Sequence, residues 1–209
     1  GLDPLEVRRK NFYGEPGRDV TPYHQTVEDN VIARIVDELE ASSDYQARRK
    51  AIRAENAKGG VIRRGIALTP VKFGISFTAT HFNQAGALVH VYTDGSVHLN
   101  HGGTEMGQGL YVKVAQIVAE EFQIDIDQVK ITATTTGKVP NTSATAASSG
   151  SDLNGMAAQA AARTIRERLA DFAAEFYELP RDQIAFLPNR VRIGNQEIPF
   201  AELVKQAYV

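Results

Sequence analysis

The chain has 209 residues, 43% of them hydrophobic and 8% aromatic. That composition excludes a disordered, collagen-like or coiled-coil chain and predicts one large globular domain or a complete piece of a larger one. Its 23 Lys and Arg against 25 Asp and Glu leave a net charge of −2, which argues against a surface built to neutralise phosphates, so nucleic acid is not an expected partner.

With no cysteine, this chain offers no disulfide, no Cys-ligated zinc or iron–sulfur cluster and no cysteine nucleophile. The opening residues GLDPLEVRRK lack the basic start and apolar core of a signal peptide, and no apolar run reaches the roughly 18 residues of a membrane span. A cytoplasmic protein with no membrane partner is the expectation. A first residue Gly1 and a last residue Val209 that directly follows an amphipathic run further predict a piece cut from a longer protein.

Residues 1–60 read as a helical preface. Asp3 and Pro4 open a first short helix, and the run from Val27 to the Gly59-Gly60 stop carries apolar residues at spacings of three and four. From Val61 the texture turns to β: GIALTPVKFGISFTAT, then GALVHVYTDGSVHLNHG, where alternating apolar residues flank a hairpin signal at Asp94-Gly95. Strands and turns are therefore predicted from 61 to about 101. Within them, alternation sends Phe77 and Thr78 to opposite faces, one to the core and one to the surface.

Two strand–loop–helix units follow. In the first, the glycine-rich HGGTEMGQGL leads into the helix YVKVAQIVAEEF, with Val114, Ile117, Val118 and Phe122 on one face. In the second, the strand QVKITATTT and the loop GKVPNTSATAASSGS precede an Ala-rich helix from about Asp152 to Glu178. A small strand pair and a helix opening close the chain. The fold class is α+β, with 1–60 as preface and 61–209 as the α+β portion.

A helix start presents unpaired N–H groups and partial positive charge, and small residues let an anion approach them. Two such junctions here suit one phosphate-bearing cofactor. Gln108, between Gly107 and Gly109, is the side chain best placed to reach a ligand, with an amide that donates and accepts. Equally open at this point, Thr104 and Glu105 cap a helix and the glycines serve tight packing. The six hydroxyls of TSATAASSGSD suit a phosphate, or they belong to an ordinary loop ending in an N-cap. Neither loop matches a P-loop or a Rossmann fingerprint. The five histidines (24, 81, 90, 98 and 101) form no H-E-x-x-H pattern and are read as ordinary packing, and no G-x-S-x-G elbow marks a serine hydrolase.

The runs KFGISFTATHFNQAGALVHVYTDGSVHLNHGGTEMGQGL and VPNTSATAASSGSDLNG resemble the molybdenum-cofactor-binding part of the molybdenum hydroxylases. The resemblance extends upstream through GLDPLEVRRKNFY and downstream into the helix MAAQAAARTIRERL, so it covers most of the chain and weakens after about residue 178. Within that family, SFTATHFNQAGALVHVYTDGS points to the xanthine dehydrogenase branch.

The resemblance implies a partial molybdopterin-binding domain of an enzyme that oxidises hypoxanthine and xanthine to urate. In such an enzyme a molybdenum ion is held by the molybdopterin, not by protein side chains, and electrons leave through iron–sulfur clusters and FAD to NAD elsewhere. Gln108 would hydrogen-bond at the cofactor, and Ala146 and Ala147 would lie beside the molybdenum, Ala147 also against the substrate. Ser148, Ser149 and Gly150 would contact the pterin and its phosphate. Phe77 would pack on the purine and Thr78 would hydrogen-bond it, which displaces the core-and-surface reading of that run.

Partners implied are the purine, an iron–sulfur/FAD subunit and the remainder of the molybdenum subunit, in a dimer of heterodimers. The family loop S-V-S-A-D is replaced here by Ser148 to Asp152, Ser-Ser-Gly-Ser-Asp, so a hydroxyl contact at 150 gives way to a backbone one. The glutamate base in G-E-P-P is not in this chain: Gly14 to Pro16 continues Gly-Arg and stands in the wrong part of the family order. The upstream substrate-orienting Arg and Glu and the second aromatic clamp are also missing, so the isolated chain is expected to be inactive. Two alternatives are an aldehyde oxidase-like hydroxylase, or one for another heterocycle, and a non-catalytic module binding a phosphorylated ligand.

Overall fold

The computed structural model describes residues 2–14, 17–138 and 142–209. It divides into two compact units, Gly1–Gly74 and Ile75–Val209. The Gly14 to Pro16 triplet and the Val-Pro-Asn stretch at 139–141 fall wholly or partly outside the described residues.

The first unit is helical. Helix α1 (Pro4–Arg9) has Pro at its start and Asp3 as N-cap, accepting from Leu5 N–H at 2.8 Å. Helices α2 (Ile32–Ser42) and α3 (Tyr45–Ala57) are separated by Asp44, which is left-handed at φ 50° and folds the single amphipathic run back on itself. Leu5, Val36, Tyr45 and Leu68 make its core. Arg9 joins α1 to α2 through Asp37 (2.6 Å) and Glu40 (2.7 Å).

The β texture expected from Val61 is not realised before Ala87: no strand forms across residues 61–86, where a single 3-10 turn, Thr80–Phe82, is the only regular element. Pro70 has no N–H to give, and at Phe77 both backbone groups are taken by one side chain. Phe77 N–H donates to Asn83 Oδ1 (2.9 Å) and Asn83 Nδ2 donates to the Phe77 carbonyl (2.8 Å), so no ladder partner is needed.

The second unit is a layered α+β arrangement. Strands β1 (Ala87–Val91) and β2 (Val97–His101) form the expected hairpin, with Gly95 at φ 83° in the turn and Asp94 Oδ1 accepting from Ser96 N–H at 2.9 Å. Helix α4 (Leu110–Phe122) crosses to β3 (Val129–Ile131), which pairs parallel to β2. β3 stops early because the following Thr134 N–H goes to the Tyr111 hydroxyl (3.0 Å) instead of a ladder. Helix α5 (Gly150–Phe176) packs on α4; Gly155, Ala158 and Ala162 are buried there, and small side chains let the helix axes approach.

A meander sheet, β4 (Ile184–Leu187), β5 (Arg190–Ile193) and β6 (Gln196–Pro199), and helix α6 (Phe200–Ala207) complete the unit. One core joins these layers: Val97 and Leu99 from the sheet, Val118 and Phe122 from α4, and Phe200 and Leu203 from α6. Among the described residues no helix is long and apolar enough to cross a membrane.

Candidate functional site

The two loop-to-helix junctions meet at one end of the second unit. β2 ends in His101, 1% exposed, whose Nδ1 accepts from Gly103 N–H at 3.1 Å. The imidazole proton is therefore on Nε2, which has no partner, and burial lowers the pKa of the ring. The Thr134 hydroxyl is shared between the carbonyls of His101 (3.0 Å) and Gly103 (2.7 Å) and also receives the Tyr111 hydroxyl (3.3 Å). These bonds fix where the glycine-rich loop leaves the sheet. Gly103 packs closely there: a Cβ would come within 2.6 Å of Leu110 Cδ2 and 2.8 Å of Asn154 Nδ2, so both buried side chains would have to shift.

Within that loop the half-buried Glu105 turns back over the start of α4. Its Oε1 accepts from Gly107 N–H (2.8 Å) and Gly109 N–H (3.0 Å), and its Oε2 from Tyr111 N–H (3.0 Å). The Tyr111 amide leads the bonds that hold this carboxyl below the usual carboxylate range, and together they outweigh the opposing effect of desolvation. The capping reading thus holds for Glu105, and the α4 start is not open to a second anion. Thr104 does not cap the helix; its N–H donates to Thr145 Oγ1 at 2.8 Å and ties the two loops together. Gln108 spans the loop, its Oε1 accepting from Met106 N–H (2.6 Å) and its Nε2 donating to the Thr104 carbonyl (2.9 Å).

The α5 junction differs. Ala147 and Ser148 are both left-handed, at φ 52° and 53°, a costly conformation for residues with a Cβ. Ser149 is buried as N-cap but donates its hydroxyl back to the Ala146 carbonyl (3.1 Å) and caps nothing. The first three amides of the helix, at Gly150, Ser151 and Asp152, have no acceptor among the described residues. The buried Asn154 bonds the Gly150 carbonyl through Nδ2 (2.9 Å) and leaves Oδ1 unpartnered.

A cavity of about 360 Å³ lies between the junctions, lined by Met106, Gln108, Leu110, Lys113, Thr145, Ala146, Ser148, Gly150 and Ser151. Four residues singled out from the sequence, Gln108, Ala146, Ser148 and Gly150, thus line one cavity. Ala147 and Ser149 belong to the same turn but do not line the cavity. Half-buried Phe77 and exposed Thr78 lie outside its lining, yet the residue before them, Ser76, donates its N–H to the Ala147 carbonyl at 2.9 Å. The sequence reading counts Ser151 only among the loop's six hydroxyls and misses Lys113. Lys113 had a legible signal: it stands four residues after Gly109 in the first turn of α4, where side chains lean back toward the helix start.

A family model for the molybdopterin cofactor-binding domain matches residues 38–209. The chain is 51% identical over 172 residues to the xanthine dehydrogenase/oxidase of Mus musculus, covering 82% of this chain and 13% of that protein. It is 49% identical over 180 residues to a nicotinate hydroxylase of Emericella nidulans, covering 85% and 13%. Among solved structures it is similar to quinoline 2-oxidoreductase of Pseudomonas putida, with TM-score 0.72, 24% identity and coverage of 100% of this chain and 28% of that one. The chain therefore spans 13% of the length of these two curated relatives.

Proposed function

The chain belongs to the molybdopterin cofactor-binding domain family, and from that premise we propose that it works as part of a xanthine dehydrogenase. In this reading hypoxanthine and xanthine are oxidised to urate, and electrons pass through iron–sulfur clusters and FAD to NAD in other domains or subunits. The working form is a cytoplasmic dimer of heterodimers, made with the remainder of the molybdenum subunit and an iron–sulfur/FAD subunit. The observation that carries the proposal is the contrast between two adjacent helix starts: α4 is filled by Glu105, while α5 leaves the amides of Gly150, Ser151 and Asp152 free beside the cavity.

The residues present fit the cofactor. A phosphate-bearing pterin needs anion donors without side-chain obstruction, and the free α5 amides, the Ser148 and Ser151 side chains and the Lys113 ammonium supply them around one cavity. Ser148 and Gly150 hold the pterin and its phosphate, with Ser149 supporting them from the same turn, and the Gln108 amide hydrogen-bonds it. Ala146 and Ala147, with only methyl side chains, leave room for the molybdenum and the substrate. Phe77 packs on the purine and Thr78 hydrogen-bonds it. When bound, the cofactor would supply the two-electron redox chemistry of the hydroxylation. No side chain of this chain ligates the metal, and the glutamate base lies outside these residues.

The relative from Emericella nidulans supports a second reading, in which the substrate is another nitrogen heterocycle of the nicotinate type, since its identity to this chain nearly equals that of the mouse protein. One experiment separates the readings. The protein, expressed from its complete gene, is assayed for pterin released per polypeptide and for dye reduction with xanthine or nicotinate. Bound pterin with xanthine-dependent reduction is expected. Nicotinate-dependent reduction alone would select the second reading, and a protein without pterin would overturn both.

A further inference from the structure

We infer that Glu105 is a positioning residue for the cofactor site: it occupies the start of α4 as an internal anion and thereby holds the loop that presents Gln108 to the cavity. This rests on the reading of Gln108 as a cofactor contact. The loop Thr104–Gly109 carries glycines at 107 and 109, both left-handed (φ 97° and 76°) with nothing near the place of a missing Cβ. Packing therefore does not decide the shape of its tip. What fixes it is a set of hydrogen bonds converging on two side chains. Glu105 gathers the amides of Gly107, Gly109 and Tyr111, on either side of Gln108. Gln108 closes the loop internally on Met106 and Thr104. With the carboxylate removed, three amides lose their acceptor at once and the two glycines become free to rotate.

The same arrangement steers the anion. The starts of α4 and α5 border one cavity, and either alone would attract a phosphate. With Glu105 bonded across the first, a phosphate has a single open helix start, at Gly150 to Asp152, so the ligand is oriented as well as bound. Glu105 needs no contact with the cofactor to do this.

The test uses the protein expressed from its complete gene, as wild type, Glu105→Ala, Glu105→Asp and Gln108→Ala. Two quantities are read: pterin released per polypeptide, and hydrogen exchange at Gly107, Gly109 and Tyr111. Glu105→Ala should speed exchange at all three amides and lower pterin content by about threefold or more, the scale of a lost helix cap. Glu105→Asp keeps the charge but is one methylene too short to span these amides, and should also load poorly. Formate, a carboxylate small enough for the vacated space, should slow exchange again in Glu105→Ala, a rescue that general destabilisation would not give. Full pterin content in Glu105→Ala or Glu105→Asp beside a depleted Gln108→Ala overturns the positioning role alone. Full content in Gln108→Ala overturns the cofactor reading beneath it.

Discussion

Ser76 donates its backbone N–H to the carbonyl of Ala147 at 2.9 Å, and both residues are left-handed, at φ 79° and 52°. This bond ties the segment bearing Phe77 and Thr78 to the turn that opens α5, across a long separation in sequence. Ser76→Gly keeps the N–H and suits the positive φ, whereas Ser76→Pro removes the donor and forces φ near −65°. In the complete enzyme, Ser76→Pro is expected to raise the Michaelis constant for xanthine roughly three- to tenfold, as Phe77→Ala does through lost stacking, while Ser76→Gly stays near wild type. Equal constants for the Gly and Pro variants would detach Phe77 from this anchor.

The hairpin turn is wedged against α6. A Cβ at Gly95 would lie 2.8 Å from Ala201 Cβ and 3.0 Å from Ala201 Cα, on a residue whose φ is 83°. Backbone cannot yield as a side-chain tip does, so Gly95→Ala should cost about 1–3 kcal/mol in chemical denaturation. Gly155→Ala is the useful contrast. Its Cβ would meet only Ile117 Cδ1, at 2.6 Å, and paired with Ile117→Val it should gain up to about 1 kcal/mol of helix propensity over Ile117→Val alone.

Glu121 is a carboxylate with its side chain only 6% exposed, shared by Arg163 (3.3 Å) and Arg166 (3.2 Å) of α5. Burial works to raise its pKa, but hydrogen bonds from the two guanidiniums outweigh that and hold it below the usual range. A lowered folded pKa means stability that is present above the unfolded value, near 4.3, and is lost as pH falls through the folded one. Glu121→Gln should cost about 1 kcal/mol at pH 7, discounted because Arg163 is over half exposed, and should flatten the acid limb of the stability curve. An unchanged limb would remove Glu121 from it.

His101 works in the same direction at higher pH. Burial lowers its pKa and the neutral ring accepts from Gly103 N–H, so stability is complete above about 6.5 and declines as pH falls below it. The wild-type unfolding midpoint should therefore drop between pH 7.5 and 5.5 by more than that of His101→Gln, which cannot titrate. Parallel drops in the two proteins would mean that His101 binds protons equally in the folded and unfolded states.

Much was legible in the chain itself. Period-3.6 spacing located α4, alanine-rich composition located α5, Asp94-Gly95 located the hairpin, and the motifs around Gln108 and Ala147 identified the family, because each signal sits within one continuous stretch of the chain. What the tertiary structure decided lies between distant segments. The run from Val61 to Gly86 has the composition of strands, but a strand exists only where another chain segment offers a ladder, and Asn83 meets the backbone of Phe77 instead. Both helix starts look alike as anion sites in sequence. Only the fold of the glycine loop, which brings Glu105 back onto Gly107, Gly109 and Tyr111, closes one and leaves the other open. Hydrogen-bond partners are chosen by proximity in space, and residue order carries that information only when the partners are neighbours in the chain.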